Sequence, residues 1–143
     1  FSFVFSERLC DRERVAELFS RELKPMPGVL EMLEATNFPK CIASSGPLLK
    51  IRQALRVCGL GPYFGDRIFS SYEVGSWKPE PGLFQYAANA MGFTPSRCVV
   101  VEDSEVGVEA ATAAGAVRLM LQRVYACAAC VCMGAKCDAA TFG

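Results

Sequence analysis

Three small groups of polar residues in this sequence are of types that could do chemistry together. Each lies at or near the end of an apolar run, and the groups are Ser44-Ser45-Gly46, Lys78 and Glu102-Asp103. Serine hydroxyls and the N–H groups of a helix N-terminus bind anions, and a lysine ammonium neutralises their charge. Adjacent carboxylates suit Mg²⁺, which prefers hard oxygen ligands. An anion donor, a cation and magnesium ligands in this order indicate phosphoryl transfer.

Each group also has a purely structural interpretation. A serine after a strand often only caps the next helix, and Asp103 or Ser104 could do the same further along. Lys78 could be a solvated residue in the loop 76–81, which two prolines stiffen. No group is specific alone, and it is their order along the chain that favours one shared site.

Composition and charge exclude several other functions. The 143 residues are 52% hydrophobic, which fits one globular domain. Lys plus Arg and Asp plus Glu are 15 each, so the net charge is zero and bulk electrostatic binding of nucleic acid is not expected. The chain has no histidine, which excludes Ser-His and Cys-His catalysis and histidine-ligated zinc.

Nothing in the sequence indicates a membrane or a secretory route. No basic segment precedes an apolar run, and the nearly uncharged stretch 124–135 is too short to span a bilayer. We therefore expect a soluble protein in the reducing cytoplasm. Four of the eight cysteines are scattered, and burial is the default interpretation for them.

Apolar runs and helical patterns alternate along the chain. The runs predict parallel strands near 40–44, 67–71, 98–103 and 117–121. Periodicity and helix stops predict helices over 11–23, 29–34, 47–57, 81–91 and 105–114. Gly92 and Gly115 are the expected left-handed stops of the last two. This alternation predicts an open α/β parallel sheet, in which ligands bind beyond the carboxyl ends of the strands. Ser44, Lys78 and Asp103 should therefore meet at one edge.

Three segments resemble motifs of one family. CIASSGP, WKPEPGLF and VVVEDSEVGVEAATAAG are similar to motifs two, three and four of the haloacid dehalogenase (HAD) superfamily. The nearest likeness is to its β-phosphoglucomutase and sugar-phosphate phosphatase branch, including 6-phosphogluconate phosphatase-like members. ELKPMPG at 22–28 resembles the join between that branch's helical cap and its core. The resemblance covers roughly residues 12–121.

The resemblance implies a fold and a role for each site residue. The fold is a HAD-like Rossmannoid three-layer sandwich. Ser44 would bind a phosphate oxygen beside the N–H groups near Ser45 and Gly46, and Lys78 would hold nucleophile and phosphate together. The implied cofactor is Mg²⁺, bound by Asp103, with Glu102 beside it directly or through water. The implied partner is a small phosphorylated metabolite.

The sequence also departs from the family. Motif one of the family is DxD, whose first aspartate attacks phosphorus, and no two aspartates here form it; they are Asp11, Asp66, Asp103 and Asp138. We expect a fragment in which the central nucleophile strand and most of the cap are missing. Its parts would be 1–24 (cap end and divergent N-terminus), 25–122 (HAD-like core) and 123–143 (divergent tail).

Two segments leave alternatives open. FSFVF at 1–5 could fill the vacant strand position and bring Ser6 and Arg8 to the DxD positions, giving a pseudoenzyme. The tail could bind zinc or an iron–sulfur cluster, or could be disordered, mistranslated or an alternative exon. The thiols concerned are Cys127, Cys130, Cys132 and Cys137.

The leading functional hypothesis is a Mg²⁺-dependent phosphatase of small sugar phosphates, inactive in this form because the DxD is missing. The alternative is a phosphate- or metal-binding pseudoenzyme or interaction module. A receiver-like domain is less favoured, because there the acidic pair precedes the lysine. A vacant central position would also separate the strand of Cys41 from that of Cys98.

Overall fold

A computed structural model describes residues 14, 17, 18 and 21–120. Within them the strands are β1 (Ile42–Ser44), β2 (Ile68–Ser70), β3 (Val99–Glu102) and β4 (Val117–Met120). The helices are α1 (Val29–Ala35), α2 (Leu48–Val57), α3 (Gly61–Phe64), α4 (Ser71–Val74), α5 (Gly82–Ala90) and α6 (Glu105–Ala113), with a 3₁₀ turn at Pro95–Arg97.

Local chemistry explains where these elements begin and end. β3 is VVVE, whose β-branched side chains suit a buried strand. Gly92 and Gly115, just after α5 and α6, both have φ of +80°, a conformation that disfavours residues with a Cβ. The predicted second strand ends one residue early. Ser70 caps α4 by accepting a hydrogen bond from the Tyr72 N–H at 3.2 Å, so Ser71 is helical.

The strands form two parallel pairs. β1 pairs with β2, with Ile42 opposite Ile68, and β3 pairs with β4, with Val99 opposite Val117. Among the described residues β1 and β3 lie in separate sheets, as the expected vacancy between the strands of Cys41 and Cys98 requires.

Both pairs share the same two layers of core. On one face, residues of β1 and β3 pack with α1, α2 and α3; the buried members include Leu33, Ile42, Ile51, Leu55, Phe64, Val99 and Val101. On the other face the alternate residues of the same strands pack with α5 and α6; these include Ala43, Leu83, Phe84, Ala87, Val100, Ala110 and Ala111. The result is the predicted three-layer α/β sandwich with parallel strands, interrupted between β1 and β3.

An apolar groove of about 270 Å³ lies beside this interruption. Ile42 of β1 and Val101 of β3 both line it, as do the segment 23–28 and Asp103. Cys58 also lines the groove, and burial raises the pKa of its thiol above the ordinary value. The raised pKa favours the neutral thiol, which is the less nucleophilic form of cysteine.

Some expectations lie partly or wholly outside the described residues. Of the predicted helix 11–23, Arg14, Glu17, Leu18, Arg21 and Glu22 are described and helical, whereas Leu23 is described and lies outside the helix, one residue before its predicted end. The FSFVF segment, Ser6, Arg8 and the cysteine-rich tail are not described, and the three-part division of the chain stays a prediction. Within the described part, no helix is long and apolar enough to cross a bilayer.

Helix α2 offers a matched test of this packing. Leu55 is 5% exposed in the core, whereas Leu49 on the same helix is 79% exposed. We expect Leu55→Ala to lower the free energy of unfolding by about 2–5 kcal/mol and Leu49→Ala to change it by less than about 0.5 kcal/mol. Urea unfolding followed by circular dichroism measures both. Equal effects of the two substitutions would contradict the assigned faces of α2.

Candidate active site

Lys78 lies in the loop between α4 and α5, and close packing holds this loop in place. Gly82 begins α5 directly against Ser76, where a Cβ would lie 2.5 Å from the serine Oγ. The Glu80 N–H donates to the Trp77 carbonyl at 2.8 Å, which closes a turn around Lys78. The loop is therefore braced on both sides of the lysine.

The Lys78 side chain forms a buried ion pair with Glu102. Its Nζ donates to Glu102 Oε1 at 2.7 Å, and the two side chains are 5% and 0% exposed. The same Nζ lies 5.1 Å from the centre of the Phe84 ring, a cation–π distance. Burying two charges is costly unless they are paired and hydrogen-bonded, and here each charge has its partner.

Glu102 is held from its other side by the start of α6. Ser104 Oγ donates to Glu102 Oε2 at 3.1 Å and accepts a hydrogen bond from the Gly107 N–H at 3.2 Å, which caps α6. Gly107 is also in contact with the carboxylate: a Cβ at this position would overlap Glu102 Oε2. The absence of a side chain at Gly107 is what leaves room for the ion pair.

The turn after β1 is braced separately. The Gly46 N–H donates to Ser44 Oγ at 3.2 Å, and Ser70 Oγ donates to the Gly46 carbonyl at 2.7 Å. Ser44 and Ser70 are opposite residues of the β1–β2 pair, so the two carboxyl ends fix this turn together. Ser71 Oγ is buried beside it and has no hydrogen-bond partner in the described part of the chain.

The described contacts join Lys78 to Glu102 at the carboxyl end of β3, where Asp103 follows in sequence, and the described hydrogen bond of Ser44 lies within its own turn at the carboxyl end of β1. The predicted meeting of Ser44, Lys78 and Asp103 at one edge stays a prediction. The phosphate-binding and catalytic roles of these residues, and those of Ser45 and Gly46, stay predictions.

The described residues fit Mg²⁺ only in part. Asp103 is half-buried and lines the groove, so its carboxylate is available to an ion. Glu102 already accepts from Lys78 and Ser104, although each carboxylate oxygen has a second lone pair. No group of three or more acidic or cysteine side chains comes together within the part described. The expected magnesium ligands therefore also stay predictions.

Parallel strands between two helical layers, with charged and hydroxyl side chains at strand carboxyl ends, define a Rossmannoid α/β protein. A sequence model of haloacid dehalogenase-like hydrolases matches residues 4–115. That is most of the chain, and the chain belongs to this family. The family resemblance of the three sequence motifs is thereby confirmed.

Curated relatives and solved structures agree with this assignment. The chain is 36% identical over 104 residues to 6-phosphogluconate phosphatase of Escherichia coli, covering 73% of this chain and 47% of that protein. It is 33% identical over 124 residues to a phosphorylated carbohydrates phosphatase of Thermotoga maritima, covering 85% and 54%. A haloacid dehalogenase-like protein of unknown function from Agrobacterium tumefaciens superposes with a TM-score of 0.71 at 34% identity, covering 82% and 52%.

A second solved structure adds a ligand. A HAD family hydrolase from Deinococcus radiodurans, with bound phosphate and sodium, superposes with a TM-score of 0.61 at 38% identity, covering 65% of this chain and 42% of that one. The chain spans about half the length of the curated relatives that it matches.

Removing one member of the buried pair should be costly. We expect Lys78→Met to lower the free energy of unfolding by about 3–5 kcal/mol, because the Glu102 carboxylate is left buried without its counter-ion. The double variant Lys78→Met with Glu102→Gln should recover most of this loss, since no unpaired charge remains. Denaturant unfolding of Lys78→Met, of Glu102→Gln and of the double variant gives the coupling free energy between the two side chains. Additive losses would show that the two side chains do not depend on each other.

Gly107 tests the space around the carboxylate. Gly107→Ala should cost about 1–3 kcal/mol of unfolding free energy, because the added methyl group displaces the Glu102 side chain. The matched control is Gly61→Ala, where a Cβ meets nothing within 4 Å. That change should be neutral or stabilising by up to about 1 kcal/mol. If thermal unfolding showed both substitutions to be harmless, the close packing at Gly107 would be wrong.

Proposed function

We propose that this chain carries the phosphate-binding half of a HAD-type phosphatase that acts on small sugar phosphates. The observation that carries the proposal is the buried Lys78–Glu102 pair beside Asp103 at the carboxyl end of β3. The pair fixes a cation inside the protein, and similar proteins are named 6-phosphogluconate phosphatase and phosphorylated carbohydrates phosphatase.

The Lys78 ammonium has donors left for a phosphoryl group. It carries three N–H groups, and one of them is directed at Glu102. The remaining two would hold phosphoryl oxygens and offset charge that develops on them. The Ser44 hydroxyl and the N–H groups of Ser45 and Gly46 would bind further oxygens. Their turn is already fixed by Ser70, so little ordering is needed on binding.

Asp103 would hold the Mg²⁺ ion of this family, with Glu102 beside it. When bound, the ion supplies charge neutralisation of the phosphoryl oxygens. The residues of this chain then bind the phosphate and keep it oriented, and they do not provide the attacking group. No DxD occurs among the 143 residues, so neither the nucleophilic nor the acid–base aspartate of the family is present.

The missing DxD favours a second candidate, a phosphate-binding protein without turnover. The two candidates share the same site and differ only in whether a carboxylate reaches the phosphorus atom. Loss of a nucleophile costs on the order of 10⁶ in rate, so this chain should bind phosphate without hydrolysing esters.

We expect purified chain to release no phosphate from 6-phosphogluconate or a panel of hexose phosphates with Mg²⁺ above a protein-free control. Inorganic phosphate should nevertheless bind in isothermal titration calorimetry. Lys78→Met should weaken that binding by about tenfold or more, because a charge-assisted hydrogen bond is lost. Hydrolysis that requires both Mg²⁺ and Asp103, judged by the Asp103→Asn variant, would contradict the inactive assignment. Absence of any phosphate binding would contradict the proposed site itself.

A further inference from the structure

The position of the Lys78 ammonium depends on how the Glu102 carboxylate is turned. Lys78 Nζ donates to Oε1 at 2.7 Å, and both side chains are shielded from solvent. Rotation of the carboxylate about its own axis would move the acceptor and take the ammonium with it. Whatever fixes this rotation therefore fixes which way the other two N–H donors of Lys78 point.

Ser104 is placed to fix that rotation. Its hydroxyl has a single proton, which it gives to Glu102 Oε2 at 3.1 Å. Its oxygen simultaneously accepts from the Gly107 N–H at 3.2 Å, which ties the hydroxyl to the first turn of α6. The Ser104 hydroxyl thus links the backbone of α6 to Glu102 Oε2, and Glu102 Oε1 in turn accepts from Lys78.

We propose that Ser104 is a positioning residue for Lys78 and acts on it through Glu102. The proposal rests on the proposed function, in that the anion which Lys78 serves is a phosphate. The sequence pattern assigns Ser104 only a helix-capping role. In the structure its oxygen caps α6 by accepting from the Gly107 N–H, and its proton is donated to the Glu102 carboxylate.

Loss of the Ser104 hydroxyl leaves Glu102 Oε2 without its donor in a buried place. The carboxylate then turns so that both oxygens approach Lys78, because the ammonium is the remaining donor within reach. Two N–H groups are drawn toward Glu102, and fewer remain for an anion. Phosphate affinity falls although Lys78, its charge and its counter-ion are all still present.

Four variants separate this role from capping. Ser104→Ala removes both the cap and the proton donor, and Ser104→Thr restores both. Ser104→Gly removes the hydroxyl but keeps most of the capping preference, since glycine at an N-cap costs only a few tenths of a kcal/mol relative to serine. Thr112→Gly weakens the same helix at an exposed position and leaves Glu102 untouched.

Phosphate binding by the full chain is the first measurement, with inorganic phosphate as the probe in isothermal titration calorimetry. We expect Ser104→Ala and Ser104→Gly to raise the Kd about five- to tenfold, and Ser104→Thr and Thr112→Gly to stay within twofold of the parent. A parent-like Kd for Ser104→Gly would overturn the proposal. So would an equal loss in Thr112→Gly, because helix stability alone would then explain the effect.

The Lys78 ammonium resonance in ¹H–¹⁵N correlation spectra is the second measurement, and it needs no phosphate. A buried, hydrogen-bonded ammonium exchanges slowly with water, so Lys78 should give a signal that Lys78→Met removes. Ser104→Thr should keep this signal, and Ser104→Ala and Ser104→Gly should shift or broaden it. An unchanged Lys78 signal in Ser104→Gly would overturn the proposal even if the parent bound no phosphate. Absence of phosphate binding by the parent would be a separate result, and it would contradict the proposed function.

Discussion

The buried contact between Lys78 and Glu102 is the interaction on which the rest of the site depends. Neither charge could stay in the protein interior alone, because desolvation of a single ion costs several kcal/mol. Each therefore fixes the other, and with it the segment that carries it. The contact joins the loop before α5 to the end of β3, across 24 residues of sequence. Phe84 and Ser104 then complete the surroundings of the pair, one from α5 and one from the start of α6.

Because of this ion pair, the adjacent residues Glu102 and Asp103 have different surroundings. Glu102 is enclosed by Lys78, Ser104 and Gly107, whereas Asp103 is half-buried and lines the groove. Alternation along an extended chain sends neighbouring side chains in opposite directions, so a pair of carboxylates after a strand need not act as a pair. One acid can hold the lysine in place while the next remains available to a ligand.

The sequence predicts the elements well and the contacts of the site poorly. β3 is a continuous β-branched run, and Gly92 and Gly115 occur where a left-handed residue ends a helix, so local rules suffice there. Lys78 and Glu102 are visible in the sequence as residues of opposite charge, but no local rule predicts that they are in contact. The role of Gly107 is still less visible, because it consists of the absence of a side chain beside the Glu102 carboxylate, and no periodicity of the sequence indicates that contact. The one sequence signal for this role is the motif itself, in which Gly107 follows Ser104 by three residues.

The turn after β1 and the end of β3, on either side of the interruption, are each held by their own hydrogen bonds. On the β1 side, Ser70 braces the turn of Ser44 and Gly46. On the β3 side, Ser104 and Glu102 brace Lys78. Neither set of hydrogen bonds crosses the interruption, yet both cores extend across it, since Ile42 packs in the same layer as Val101 and Ala43 in the same layer as Val100. Hydrophobic packing therefore sets the distance between the two halves of the site, while local hydrogen bonds set the orientation of the groups within each. The Lys78 ammonium and the turn that carries the Ser44 hydroxyl can therefore be held in place without the aspartates of the DxD motif, which the sequence does not contain.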